Sequence, residues 1–196
     1  SPLRDVYKRQ GVLSTTAPLE NEVNLPAYHV EKEVNETDIK QLSDYLAKAQ
    51  KPLVLAGAGI NHSKSNTLLT DFVTQHQIPV VTTLLGLGAI PYESPLFLGM
   101  GGMHGSYASN MALTECDLLI NFGSRFDDRL ASNPNEFAPN ATIVHVDIDE
   151  SEINKVIATD LGIVADCKKV LEALSHTHTA TDSHKEWIEH CREKKS

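Results

Sequence analysis

The segment Gly123-Ser124-Arg125-Phe126-Asp127-Asp128-Arg129 carries the densest chemistry in this chain. It follows the largely apolar run Leu118-Leu119-Ile120-Asn121-Phe122, which reads as a buried strand. A guanidinium at such a strand end offers a planar fork suited to a pyrophosphate, and it can also stack on a flat ring. Neighbouring carboxylates can orient that fork. The competing explanation is a surface ion-pair network that satisfies only itself.

Four further strand ends, and one glycine-rich stretch leading into a helix, carry comparable groups. Gly57-Ala58-Gly59-Ile60-Asn61 follows the strand Leu53–Ala56; its Gly-x-Gly lets backbone approach a ligand, but it equally suits a tight turn. Thr82-Thr83-Leu84-Leu85-Gly86-Leu87-Gly88 closes the strand Pro79–Thr83, and its hydroxyls can meet either a ligand or the local backbone. Leu98-Gly99-Met100-Gly101-Gly102-Met103-His104-Gly105 packs glycines and methionines as expected of backbone lying beside a flat aromatic ligand. His104 suits a contact to a bound molecule better than catalysis. Asp147 and Asp166 close the strands Ile143–Asp147 and Leu161–Val164, where an acid can accept from a ribose hydroxyl or cap the next helix.

Elements must bring these ends together. Ile39, Leu42, Leu46 and Ala49 recur at helical spacing behind the cap candidates Asn35 and Thr37. Further helices are expected over about 65–75, over 105–115 and from near Asp166, with Asp149 capping a turn ahead of Glu152. The strands are continuous Val/Ile/Leu runs, as in a parallel sheet covered on both faces. The predicted fold is a doubly wound, Rossmann-like α/β domain with a mostly parallel six-stranded sheet, spanning 35–175; five strands can be assigned to segments. In such sheets ligands bind beyond the carboxyl ends of the strands, so the decorated ends describe one extended dinucleotide site.

Composition narrows the partners. The 196 residues carry a formal charge of −9, which argues against nucleic acid and anionic membranes. Cys116, Cys167 and Cys191 form no close-spaced pair, so a disulfide framework or zinc site is not expected and a reducing cytoplasm is. Residues 1–10, with Arg4, Lys8 and Arg9, read as a non-native scar, 11–34 as a linker or arm, and 176–196 as a linker ending in a short amphipathic piece around Trp187 and Ile188. His176, His178, His184 and His190 lie in that tail without the rigid scaffold a metal site needs.

The Arg125 cluster, Met103-His104-Gly105, the Thr82–Gly88 segment and His145-Val146-Asp147-Ile148-Asp149 together resemble acetolactate synthase large subunits, in the same order and spacing. The likeness covers nearly all of 11–196. The Arg-Phe-Asp-Asp-Arg cluster is its most specific part, separating flavin-containing anabolic enzymes from flavin-free catabolic relatives.

The resemblance implies that Gly57, Ala58, Gly59, Thr83, Leu84, Met103, His104, Gly105, Gly123, Arg125, Asp127, Arg129, Asp147, Ile148, Asp166 and Cys167 line an extended FAD. Arg125 would serve the pyrophosphate, Asp147 and Asp166 would lie towards adenosine, and Asp128 and Arg129 would lie near the active-site channel. The arm reads Leu25-Pro26-Ala27-Tyr28-His29 where family members often place an arginine against the flavin. The family condenses pyruvate with pyruvate or 2-oxobutyrate in branched-chain amino-acid synthesis. Its thiamine diphosphate, Mg2+ and activating glutamate belong to flanking domains, and no Gly-Asp-Gly metal motif occurs here, so no catalytic or metal-binding residue is expected and this piece alone should not turn over pyruvate. A homodimer or tetramer with a regulatory small subunit is implied for the full-length enzyme. The rivals are the middle domain of another thiamine diphosphate enzyme, a stand-alone nucleotide-binding module or sirtuin-like deacylase, and a vestigial scaffold; a sirtuin should carry the paired-cysteine zinc site that is absent.

Overall fold

The computed structural model describes residues 33–131, 133–176 and 184–195. The segment 1–10, most of the arm 11–34 including Leu25–His29, and His178 lie outside the described residues. Within them the chain runs α1 (Glu36–Lys48), β1 (Pro52–Ala56), α2 (Ala58–His62), α3 (Asn66–His76), β2 (Val80–Thr82), β3 (Phe97–Met100), α4 (Tyr107–Glu115), β4 (Leu118–Phe122), β5 (Thr142–Asp147), β6 (Leu161–Val164), α5 (Cys167–Leu174) and α6 (Lys185–Glu193).

The local chemistry sets these bounds. Asn35 caps α1, its side chain accepting from the Thr37 N–H at 2.9 Å. Glu36 and Asp38 occupy its first turn and Lys48 its last, favourable at each end of the helix dipole. Asp149 accepts from the Ser151 N–H and caps a 3-10 turn, as its spacing predicts. Gln77 stops α3 in a left-handed conformation.

The six strands are all parallel, in the order β3-β2-β1-β4-β5-β6. Strand order reverses between β1 and β4, which pair in register from Pro52↔Leu118 to Ala56↔Phe122. A crevice therefore opens above their carboxyl ends, where the outgoing loops diverge. Alternate strand residues feed two cores. Val54, Ile120 and Val144 pack with Leu42, Phe72 and Leu171 from α1, α3 and α5. Leu55, Leu119 and Ile143 pack on the other face with Leu113 of α4, Trp187 and Cys191 of α6, and the loop residues Phe126 and Leu130.

Two sequence expectations need adjustment. The sixth strand is Phe97–Met100, overlapping the start of the glycine-rich stretch that periodicity assigns to no strand; Gly99 has φ +119° and pairing shifts register between Val80 and Val81. The tail is more than a linker, since α6 buries Trp187 and its indole N–H donates to the Pro52 carbonyl at 2.9 Å. His184, just before α6, is buried too, with Nδ1 3.0 Å from the His76 carbonyl and Nε2 3.2 Å from that of Ala49.

Candidate functional site

A cavity of about 760 Å³ lies along the carboxyl edge of the sheet, reached by the ends of all six strands. Such a volume is typical of a cleft for a small molecule or cofactor.

Its centre is the β1 and β4 ends, where backbone packs on backbone. The Gly57 N–H donates to the Phe122 carbonyl at 2.9 Å, Gly59 to Gly123 at 3.1 Å, and Gly123 to Val146 at 2.8 Å. These amides are thus engaged within the protein. The glycines serve close approach instead: a Cβ on Gly57 would lie 2.2 Å from the Gly123 carbonyl oxygen. Gly59, Ala58 and Gly123 still line the cavity; Gly57 is buried beneath it.

With those amides occupied, side chains add polar groups to the cavity lining. Arg125 and Arg129 both line the cavity and are exposed, and among the described residues neither is paired with a carboxylate. The self-satisfied ion-pair network considered for this cluster is therefore not what the structure contains. Asp127 closes its own turn, its carboxylate accepting from the Leu130 N–H at 3.2 Å, while Phe126 between the arginines turns inward at φ +51° and is buried. The loop is fastened at its far end by the Met103 N–H donating to the Arg129 carbonyl at 2.9 Å.

The β2 and β3 ends form the apolar wall. Leu84, Leu85 and Met103 line the cavity although all three are more than half exposed. Thr83 lines it too, while its hydroxyl accepts from the Gly86 N–H at 3.1 Å and caps the turn. Asn61 holds this turn, donating to the Leu85 carbonyl at 3.0 Å. Asn110 brackets Gly102 by accepting from its N–H at 2.8 Å and donating to its carbonyl at 3.0 Å, which sets out Met103 and His104. Gly105 does not line the cavity; a Cβ there would meet the Met100 carbonyl oxygen at 2.4 Å.

The β5 and β6 ends contribute Asp147, Ile148, Asp166 and Cys167. Asp166 caps α5 through the Lys168 N–H at 2.7 Å, so its capping and lining roles coexist. Asp147 is buried and accepts from the Asp149 N–H at 2.9 Å. Burial first, then the Asp147 and Asp166 carboxylates, push the Cys167 thiol up to about 12, which makes it a neutral packing group rather than a nucleophile.

Sequence reasoning missed His62 and Ser63, placed on the cavity by α2. Their only signal was their position shortly after the glycines. Among the described residues no group of three or more His, Cys, Asp or Glu is placed to hold a metal ion, and no helix is long and apolar enough to cross a membrane.

Comparison with known proteins places this geometry. The chain is 44% identical over 184 residues to the acetolactate synthase large subunit of Lactococcus lactis subsp. lactis, covering 94% of this chain and 32% of that protein. It is 40% identical to the acetolactate synthase isozyme 2 large subunit of Escherichia coli, covering 88% and 29%, and 37% identical to the acetolactate synthase large subunit of Corynebacterium glutamicum, covering 87% and 28%. It thus spans about a third of the length of these relatives. Residues 39–174, which hold all six strands and every helix but α6 and the first turn of α1, match the thiamine pyrophosphate enzyme central domain, and the chain belongs to that family.

Proposed function

We propose that this chain is the FAD-binding central domain of an acetolactate synthase large subunit, which condenses two pyruvates, or pyruvate and 2-oxobutyrate, to acetohydroxy acids. The observation that carries the cofactor assignment is the cavity itself: two arginines without carboxylate partners at the β4 end, flanked by apolar walls that protein atoms leave exposed.

These donors fit a flavin dinucleotide. Arg125 would hold the pyrophosphate, with Arg129 adding positive charge along the same loop. Leu84 and Met103 would lie against a flat ring, and Asp147 and Asp166 would accept from the adenosine end. The wet surface of Leu84, Leu85, Met103 and Ile148 is apolar area that a bound ring would remove from water. When bound, FAD supplies a flat aromatic ring that takes no net redox part in the condensation. Thiamine diphosphate and Mg2+ would be held by flanking domains of the longer enzyme. The relatives' names, all large subunits, support assembly with a small regulatory subunit. The three buried free thiols are consistent with the cytoplasm.

Calorimetric titration of the 196-residue chain with FAD, NAD and FMN tests the assignment. FAD should bind tightest, though weakly if flanking domains normally cover part of the ring; NAD binding as tightly as FAD would overturn it.

A further inference from the structure

His145 stands on β5 with no exposed surface, facing the core that contains Phe126, whose ring centroid is 5.0 Å from its own. Neither of its ring nitrogens has a hydrogen-bond partner. A neutral imidazole carries one donor and one acceptor, and burying both unmade is costly where an apolar side chain would cost nothing. Two residues along the same strand, and so on the same face, stands Asp147. Its Oδ1 accepts from the Asp149 N–H at 2.9 Å, while its Oδ2 lies 3.8 Å from His145 Nε2, just beyond hydrogen-bond range. Asp147 lines the cavity; His145 sits behind it.

We propose that His145 is a positioning residue for Asp147: its Nε2–H donates to the buried side of the carboxylate, which is then held to accept a hydroxyl or amino group of an adenosine-bearing ligand. The ligand half of this inference rests on the cofactor reading above. A shift of roughly half an ångström would bring the 3.8 Å separation into hydrogen-bond range. The arrangement resembles the histidine–carboxylate pairs that fix ligands from a second layer. The opposite tautomer has its own candidate partner. Asn121, the register neighbour of His145 on β4, donates to the Ser124 carbonyl at 2.6 Å but leaves its own Oδ1 without a partner. Nδ1–H facing Asn121 is therefore the rival.

Nitrogen NMR of the histidine-labelled chain decides the tautomer without any ligand. The expected result is Nε2–H, with ring shifts that move in Asp147→Asn. Affinity then tests the consequence. His145→Phe should weaken FAD and ADP binding about tenfold and leave FMN unchanged, with partial recovery in His145→Gln, which keeps a donor. In the Asp147→Asn background the same His145→Phe change should matter less than about twofold, because contacting residues that act as a unit are not additive. A ring in the Nδ1–H form, or equal losses in both backgrounds, overturns the inference. If the unsubstituted chain shows the Asp147-dependent Nε2–H form but binds no FAD, the positioning bond stands and the cofactor reading fails.

Discussion

A Cβ added to Gly123 would lie 2.5 Å from the Cα of Gly59, so the first turn of α2 and the loop leaving β4 meet at a distance only two glycines permit. Gly123 also sits at φ +63°, where side chains are strained. Both segments carry cavity residues, and this contact fixes their separation.

Gly123→Ala should therefore destabilise the fold by about 3 kcal/mol or more, combining left-handed strain with backbone overlap. Gly88→Ala is the control: φ is +87° but nothing lies within 4 Å of the added Cβ, so only the strain of about 1–2 kcal/mol should appear. Urea unfolding of both variants checks this; equal losses would mean that the loop contact yields easily.

The strands that could be read most directly are those whose side chains are buried throughout, because apolar continuity is then a sequence property. Leu118–Phe122 appears where expected, and Leu53–Ala56 gains only Pro52 at its start. Phe97–Met100 could not be read, since only its first two residues are buried and Gly99 breaks the run at positive φ. The site divides the same way. Arg125 and Asp147 are visible because they end long apolar runs. His62 is placed by a five-residue helix, and α6 docks through Trp187 and Pro52, partners 135 residues apart whose meeting no local pattern records.

The docking of α6 has a measurable consequence. Trp187 is 4% exposed and its indole N–H has a buried acceptor. Trp187→Ala should cost about 3–5 kcal/mol through the cavity left behind, as for other large core aromatics. Trp187→Phe should recover much of the packing but leave the Pro52 carbonyl without its donor. Thermal melts with no change in either variant would show α6 to be a peripheral appendage.

All three cysteines should resist alkylation in the folded chain. Burial is the first cause in each case and pushes Cys116, Cys167 and Cys191 up to about 12. At pH 8 their thiolate fraction should fall by roughly a thousandfold relative to an ordinary cysteine. The linkage sign follows: the folded values are raised, so the stability difference is fully present below the unfolded thiol range and is lost as pH rises towards 12. Mass spectrometry after iodoacetamide treatment should show modification only in denaturant. Rapid labelling of Cys167 in the folded chain would mean that the cavity admits solvent to the thiol.

The sharpest test of the cleft is Arg125. It follows a fully buried strand, is itself exposed, and among the described residues has no carboxylate partner, so its guanidinium makes no ion pair that folding depends on. Arg125→Ala should weaken FAD binding by about 2 kcal/mol, roughly thirtyfold, the loss expected for a charge-assisted hydrogen bond to a phosphate. Arg125→Lys should recover only part of that, because a point charge cannot reproduce a two-pronged contact. The ligand-free melting temperature should stay within the small range of surface substitutions. The two readouts separate ligand recognition from packing, since a structural arginine would lower the melting temperature and leave flavin affinity untouched. That second pattern would return Arg125 to the scaffold and shift the phosphate contact to Arg129, the other cavity arginine on the same loop.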